Sequence, residues 1–359
     1  MHTNDKRPIN DKYYHTRKFV RLPLNQQDGD ELKEEAYIQC LKQLKENPDS
    51  EKLDMAWGAL CILASSFLPS SKSQRLYYSI LNFLFVYSKM NDSNPKIAQR
   101  CEYAYSRLYN TSLVNRTEIP SRREMLYIEK MKPITIPIFL FSGDYLYVNF
   151  ESYSTIKQVK DDFMGKLGLN PMRFSYYGLY EVCEKEDCSE ERFLDDSKLL
   201  CDVLSIWEQT QNLEENQNKK IDFKIFLKIK YYYQMGEEDI DTVALQYYQI
   251  LYLFLKGRLN LEEKHVISLS ALKLLTEFSI RREEAYENLD RNLENYIPFN
   301  MLSTNPPQFW IQKVMEFYTS LNDYSVLEAQ RNFIDIAMKD QLCNSHQIIV
   351  EVIKFYFFT

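Results

Sequence analysis

The sequence contains few of the residues from which most active sites are built. Its 359 residues include 8 Gly and 4 His, the latter being His2, His15, His265 and His346. Glycine lets a backbone curl around a phosphate, and no G-x-x-x-x-G-K-[ST] segment is present. Histidine is the commonest general base and metal ligand, and these four are widely dispersed. We therefore expect neither an enzyme nor a bound cofactor or metal.

A disulfide framework and a long apolar run are also missing. The cysteines are odd in number and scattered, at Cys40, Cys61, Cys101, Cys183, Cys188, Cys201 and Cys343. This pattern is typical of reduced thiols in a cytosolic protein. Cys183 and Cys188 lie in an acidic segment without a second pair, so free thiols are predicted there rather than zinc ligands. No apolar stretch is long enough to cross a bilayer, and a cytoplasmic protein is predicted.

Charge is unevenly distributed along the chain, whose net charge is −7. Residues 1–130 carry 20 Lys+Arg against 16 Asp+Glu, and the remainder carries 24 against 35. An anionic surface is therefore met more easily by the first third, whereas no nucleic-acid partner is expected. The candidate basic surface on that third consists of Lys72, Arg75, Lys89, Lys96, Arg100 and Arg107.

Apolar spacing predicts helices in the first part of the chain. Residues 1–30 are polar and are interpreted as a loosely ordered lead-in. From Glu31 onward, four segments carry apolar residues at helical spacing, and Pro48 and Pro69 end the first two. The segment 31–130 is therefore predicted to be a helical bundle.

The period changes after Pro133. Two β-favouring runs flank a turn at Ser142-Gly143-Asp144, which predicts a hairpin. Ser154 or Thr155 then caps a helix that ends near Gly168. This order of strands and one crossing helix is that of a ubiquitin-like β-grasp domain.

The remaining chain is predicted to be mostly helical. A polar stretch at 209–220 is interpreted as a linker, and 221–342 as a helical lobe that begins with an extended segment. The predicted fold class is therefore mainly α with an α+β insert.

Several motifs in the helical bundle resemble the signature of MyTH4 domains. They are LKEEAYIQ at 32–39, KQ at 42–43, NP at 47–48, Trp57 with LCIL at 60–63, FLPS at 67–70, and Arg116 with PSRRE at 120–124. Ile119 departs from the pattern, because the family usually has a proline there. Order and spacing together make this resemblance strong.

The rest of the chain resembles a FERM domain. LQYYQ at 245–249, YIP at 296–298 and LEAQ at 327–330 are similar to landmarks of the second FERM lobe. The whole is thus similar to the MyTH4–FERM tail module of unconventional myosins and kinesins. The resemblance implies MyTH4 at 31–130, a ubiquitin-like F1 lobe at 131–208 and an F2 lobe, helical like acyl-CoA-binding protein, at 221–342. It implies that 343–359 is a tail or the start of a truncated F3 lobe, and that no motor is present.

The resemblance also implies what the module does. A non-catalytic, cytoskeleton-associated platform is expected, one that joins a filament, a microtubule more readily than actin, to cargo or receptor peptides. The alternative is a membrane-linked FERM adaptor that binds phosphoinositide or receptor tails.

The motif residues are expected to build structure rather than to contact partners; they are Trp57, Arg116, Pro120, Ser121 and Glu124. Arg116 and Glu124 are predicted to satisfy helix ends or to pair across the junction with F1. Arg122 and Arg123 are predicted to pair between domains.

Overall fold

The computed structural model describes residues 14–25, 29–45, 47–69, 74–90, 94–112, 116–184, 189–215, 221–232, 240–279, 281–321 and 324–338. Buried side chains form three hydrophobic cores that follow one another along the chain. The predicted fold class, mainly helical with one α+β unit, is confirmed. No helix among these residues combines the length and the apolar character needed to span a membrane.

The first unit is a bundle of six helices: α1 (Tyr14–Asn25), α2 (Gly29–Leu44), α3 (Ser50–Ser66), α4 (Gln74–Met90), α5 (Pro95–Thr111) and α6 (Arg122–Glu129). α3 is the central helix and contacts α2, α5 and α6. Its N-terminus is capped by Asp49, whose carboxylate accepts from the amides of Glu51 and Lys52. Such a cap satisfies donors that the first turn leaves without partners.

The prediction of a loosely ordered lead-in over 1–30 was wrong in its second half. Residues 14–25 form α1, which packs against α2. Val20 is fully buried, and Phe19 and Leu24 lie against the same core. The sequence pattern missed this helix because basic side chains interrupt its short apolar face. Burial of that face, rather than intrinsic helix propensity, stabilises the helix.

The second unit is a mixed sheet with two helices. It consists of β1 (Ile134–Phe139), β2 (Tyr145–Phe150), α7 (Ile156–Lys166), a short 3₁₀ segment (Pro171–Tyr176), β3 (Tyr177–Glu184), β4 (Ser189–Phe193), α8 (Leu200–Glu215) and β5 (Asp222–Ile229). The strand order is β2-β1-β5-β3-β4. β5 runs parallel to β1 and antiparallel to β3. The predicted hairpin pairs Ile134 with Phe150 at its open end.

Local chemistry explains the crossing helix. Thr155 caps α7 in a capping box. Its hydroxyl accepts from the backbone amide of Gln158, and the side-chain oxygen of Gln158 accepts from the backbone amide of Thr155. Gly168, with φ +74°, adopts the left-handed conformation that commonly ends a helix. The predicted helix and its terminator are thus confirmed.

The predicted boundary between the second and third units was wrong. α8 extends to Glu215, into the stretch interpreted as a linker at 209–220. The extended segment assigned to the helical lobe at 221 is β5, which occupies the centre of the sheet. A strand that pairs with elements more than 40 residues earlier cannot be assigned to its domain from local pattern alone, since register is a long-range property.

The third unit contains α9 (Ile240–Leu255), α10 (Glu263–Phe278), α11 (Arg282–Arg291), α12 (Pro307–Ser320) and α13 (Val326–Ala337). α10 contacts α11, α12 and α13, and half of its residues are buried, including the continuous run from Leu269 to Leu275. Large rings fill this core, among them Tyr247, Phe254, Trp310 and Phe333. The predicted tail at 343–359 lies outside the described residues.

Candidate functional site: junctions and basic surface

Trp57 anchors the first unit, as predicted. Its ring is 2% exposed and stacks on Phe83, with centroids 6.4 Å apart and planes within 8°. Tyr87 packs on the same indole at 5.8 Å. Stacking adds to the roughly 2–3 kcal/mol contributed by burying such a ring. These contacts tie α3 to α4.

Arg116 and Glu124 form a buried bidentate ion pair. Nη1 and Nη2 of Arg116 lie 2.5 and 2.6 Å from the two carboxylate oxygens of Glu124, and both side chains are at most 2% exposed. Burial alone would lower the pKa of Arg116, but the facing Glu124 charge raises it above its usual value. Pro120 is buried. Ser121 caps α6 by accepting from the Glu124 amide at 3.1 Å.

The pair continues into the second unit through Asp202 on α8. One oxygen of Asp202 accepts from the amide and the hydroxyl of Thr117, both at 3.0 Å. The other lies 3.4 Å from the Glu118 amide and 3.5 Å from Arg116 Nε. A single carboxylate thus holds three consecutive residues of the segment between α5 and α6. We call this network the first junction.

Glu208, one and a half turns along α8, extends the first junction. It accepts from the Arg122 backbone amide at 2.6 Å and pairs with Arg17 of α1 at 2.8 Å. Arg123 donates to the Thr135 carbonyl of β1. The Arg123 side chain thus contacts the next domain, as predicted, whereas the observed interdomain contact of Arg122 is made by its backbone amide and does not test the predicted role of its side chain.

Arg107 does not belong to the basic surface predicted for it. It is 5% exposed, pairs with Glu151 after β2, and its guanidinium lies 4.3 Å from the Tyr103 ring and 5.4 Å from the Tyr153 ring. It joins α5 to the second unit and is part of the first junction. A buried arginine needs such partners, because an unpaired buried charge is strongly unfavourable.

Arg100 is the second correction. It is 4% exposed, and its guanidinium donates to the Asp54 carboxylate at 2.9 Å and to the Asp54 carbonyl at 3.2 Å. A signal was available in the sequence, because Arg100, Ala104 and Leu108 follow one another at i, i+4, i+8 on the apolar face of α5.

Three of the six basic candidates are exposed. Arg75 and Lys89 lie near opposite ends of α4, and Lys96 lies in the first turn of α5. Lys96 pairs with Asp54 at 2.8 Å and Lys89 with Glu102 at 3.9 Å. Lys72 lies outside the described residues. The basic surface that can be placed is therefore smaller than predicted, and surface ion pairs of this kind are weak.

A second junction joins the sheet to the third unit. Gln249 of α9 is 2% exposed and binds both backbone groups of Ile229, accepting from its amide at 2.7 Å and donating to its carbonyl at 3.0 Å. Its amide group also donates to the Tyr232 hydroxyl at 2.8 Å. The rings of Phe141 and Tyr252 meet at 5.0 Å. Gln249 is the last residue of the LQYYQ motif at 245–249, but the sequence predicted no role for its side chain.

Beside this second junction lies a cavity of about 220 Å³. Its lining is mostly apolar and comes from both units, including Leu140, Leu227 and Tyr248. The sheet and α9 therefore leave a gap between them at this point.

The described cysteines with raised pKa values are buried and favour the neutral thiol. Burial raises the pKa of the Cys40, Cys61 and Cys101 thiols to about 12. Thiols with such pKa values are poor nucleophiles at neutral pH. No group of three metal-ligating side chains occurs among the residues that the structure describes, which do not include Cys188.

Sequence models of three domain families match consecutive parts of the chain. The MyTH4 domain matches residues 24–127, the RA like domain 132–231 and the FERM central domain 237–346. The RA-like match includes β5, in agreement with the sheet.

Relatives share this chain at low identity. It is 24% identical over 319 residues to the kinesin-like protein KIN-14I of Oryza sativa subsp. japonica, covering 85% of this chain and 25% of the relative. It is 24% identical over 295 residues to Myosin-VIIa of Drosophila melanogaster, covering 80% of this chain and 13% of the relative. The chain thus spans a quarter or less of the length of these relatives.

Solved structures show the same fold. The myosin VII MyTH4-FERM MF1 domain of Dictyostelium discoideum superposes with a TM-score of 0.70 at 19% identity, covering 90% of this chain and 68% of that one. The C-terminal MyTH4-FERM domain of human myosin 7b, solved in complex with the harmonin-a PDZ3 domain, gives a TM-score of 0.67 at 15% identity, covering 90% and 70%. With a MyTH4 domain, an RA-like domain and a FERM central domain in consecutive order, the chain belongs to the MyTH4–FERM family, which includes modules of myosins and kinesins.

Proposed function

We propose that this chain is a non-catalytic binding module that joins a cytoskeletal filament to cargo protein in the cytoplasm. The observation that carries the proposal is the first junction, where buried ion pairs and Asp202 fix the MyTH4 domain against the RA-like domain. A junction closed in this way presents the outer surfaces of both domains in one fixed arrangement. Such rigidity suits a platform that holds two partners at once.

Two comparisons support the choice of partners. The relatives are named as kinesins and myosins, which are motors of the cytoskeleton. The myosin 7b module was solved with a PDZ domain bound, so a module of this fold takes a folded protein as partner. For this chain we propose a microtubule as the filament, since the exposed basic residues Arg75, Lys89 and Lys96 lie on the MyTH4 domain and suit an anionic wall.

Co-pelleting with microtubules at low and high salt tests the filament contact. We expect the chain to pellet at low ionic strength and to be released at high salt, because exposed charges are screened over roughly 8–10 Å at physiological ionic strength. The triple variant R75Q/K89Q/K96Q should pellet several-fold less.

A matched control removes three exposed positive charges from the FERM central domain. Arg281 before α11, Arg291 of α11 and Lys313 of α12 each pair with a nearby exposed carboxylate, and R281Q/R291Q/K313Q loses the same three positive charges. It should pellet like the unaltered chain. Absence of pelleting at low salt removes the microtubule from the proposal, and stronger pelleting with F-actin replaces it. Robust flotation with anionic liposomes instead favours the membrane-linked adaptor.

A further inference from the structure

An exposed stripe runs along α4 with the spacing of a helix-binding seam. Arg75, Tyr78, Asn82, Phe85 and Lys89 follow one another at intervals of three, four, three and four residues, and all five are exposed. Tyr78 is 61% and Phe85 54% exposed, which is high for rings on a helix of a folded domain. Residues at this spacing form one continuous line on a helix surface, the geometry that a second helix packs against.

The stripe forms one wall of a groove. Tyr78, Asn82 and Phe85 face Tyr105 and Tyr109 of α5 across an open depression of about 860 Å³. The rings of Phe85 and Tyr105 lie 6.3 Å apart, and Tyr109 is 55% exposed. Val86 and Met90 extend the apolar surface beyond the groove. Apolar area of this kind, concentrated around rings, is the usual core of a protein interface.

Charge at the groove selects its occupant. Among the described residues that line the groove there is no carboxylate. Arg75 stands beyond one end of the stripe's apolar part and Lys89 beyond the other, about 21 Å apart along the helix axis at 1.5 Å per residue. Lys89 has Glu102 at 3.9 Å, whereas no described carboxylate forms an ion pair with Arg75. The groove is therefore apolar in the middle and has a cation beyond each end, Arg75 at one and Lys89, with Glu102 nearby, at the other.

A second copy of the same helix does not suit this pattern. In an antiparallel pair, Arg75 of one copy would oppose Lys89 of the other, and in a parallel pair Arg75 would oppose Arg75. Both arrangements place like charges together at the rim, which disfavours association. A helix with apolar residues in its middle and carboxylates at both ends matches the groove in shape and charge.

We propose that the α4–α5 groove of the MyTH4 domain docks an amphipathic helix of a partner protein, with apolar anchors seven residues apart against Tyr78 and Phe85 and acidic residues toward Arg75 and Lys89. Anchors at i and i+7 reach both rings because two helical turns separate them. Arg75 and Lys89 are shared with the filament contact proposed above, whereas Tyr78 and Phe85 belong to the helix contact alone, so substitutions of the two rings distinguish the contacts.

A fluorescein-labelled 18-residue peptide tests the groove. The probe carries Leu at the two anchor positions, Glu at both ends and Ala and Gln elsewhere; the matched control peptide carries Lys in place of Glu. We expect saturable fluorescence anisotropy with the Glu peptide and at least tenfold weaker binding of the Lys peptide, a difference of about 1.4 kcal/mol or more. Equal binding of the two peptides, or no saturation by about 1 mM, overturns the proposal.

Variants of the full chain locate the contact. F85S and Y78S should each weaken the Glu peptide tenfold or more, and both remove exposed side chains, so folding should persist by circular dichroism. Y286S removes a comparably exposed ring from the FERM central domain and should change binding less than twofold. If Y286S and F85S weaken the peptide equally, the groove is not the site.

Two further readouts separate the alternatives. Light scattering should give the same mass for the unaltered chain and for F85S. If the unaltered chain is a dimer and F85S is a monomer, a second copy of the chain occupies the groove and the proposal is overturned. Microtubule co-pelleting of F85S should equal that of the unaltered chain, since its charges remain. Absence of peptide binding with retained pelleting contradicts the groove proposal alone. Peptide binding without pelleting contradicts the filament proposal alone.

Discussion

The two junctions of this module depend on different kinds of interaction. The first junction, between MyTH4 and RA-like domains, is closed by charged side chains, chiefly Arg116, Glu124 and Asp202. The second, between the RA-like and FERM central domains, is closed chiefly by the neutral side chain of Gln249 and by rings. Its ion pair between Arg258 and Glu191 is long, at 3.9 Å, and a cavity lies beside Gln249. Charged partners bind in few geometries, whereas neutral packing leaves room to adjust. The first junction should therefore be the more rigid and the more easily broken by one substitution.

Removal of Glu124 should produce the largest effect. E124A leaves the Arg116 guanidinium buried without its bidentate partner, and breaking such a pair lowers the free energy of unfolding by about 3–5 kcal/mol. Urea unfolding followed by circular dichroism measures the loss. E102A removes an exposed carboxylate from the same domain and should change the free energy by less than about 0.5 kcal/mol. A loss below about 1 kcal/mol for E124A would show that Asp202 alone can hold Arg116.

The second junction should respond to Gln249. Q249L leaves the amide and carbonyl of Ile229 without their partner, and stranded buried groups destabilise by about 1–3 kcal/mol each. We expect a loss of about 2–4 kcal/mol, partly relieved as α9 shifts toward the neighbouring cavity. Amide exchange at Ile229 should accelerate. The control Q312L alters an exposed glutamine of α12 and should leave exchange at Ile229 unchanged.

Neutralisation of Asp202 tests whether charge itself closes the first junction. D202N keeps the shape but replaces one accepting oxygen with a donor, which opposes the Thr117 amide and hydroxyl. We expect about 1–2 kcal/mol less stability and faster amide exchange at Thr117 and Glu118. Exchange that rises equally in α10, far from this site, would mean global rather than local opening.

Alkylation of Cys201 measures opening of the first junction, and it is the smallest effect expected here. Cys201 is fully buried beneath that junction. Burial raises the pKa of the Cys201 thiol well above its usual value, so the thiolate is scarce at pH 8. Alkylation mapped by mass spectrometry should be at least about 100-fold slower than in urea. D202N should increase the alkylation rate of Cys201 in the folded chain, and Q249L should leave that rate unchanged. Equal acceleration by both variants would erase the distinction between the junctions.

The sign of the pH dependence follows from the raised thiol pKa values. Cys40, Cys61 and Cys101 titrate near 12 in the folded chain against about 9 when free. A raised folded-state pKa contributes stability that is complete below the unfolded value and is lost as pH rises through the folded one. Alkaline titration should therefore show stability falling between about pH 9 and pH 12.

Domain order and several local details were predictable because their signals are short in range. The Thr155 cap, the Gly168 terminator and the hairpin turn each depend on a few neighbouring residues. The Arg116–Glu124 pair was not predicted as such, although its two residues lie only eight positions apart in the sequence. The family motifs added what periodicity could not supply, namely which domains these elements form.

Most of the errors involve partners distant in sequence, and all of them depend on tertiary packing. Arg100 meets Asp54 from 46 positions away, Arg107 meets Glu151 from another domain, and α1 is held by its burial against α2. A basic residue on an amphipathic helix has two possible fates, solvent or a buried partner, and the choice depends on tertiary packing. The role of Gln249 was missed for the same reason, since its partner is a backbone that no pattern identifies.

The position of β5 constrains how the RA-like domain is made on the ribosome. The β1–β2 hairpin and the β3–β4 ribbon are synthesised first, but they are not neighbours in the finished sheet, because β5 lies between them. Until β5 emerges, both halves present open edges, which are sites of aggregation. A nascent chain arrested before residue 222 thus carries two unfinished ribbons, and a gene fragment meant to encode this domain alone has to extend past Ile229.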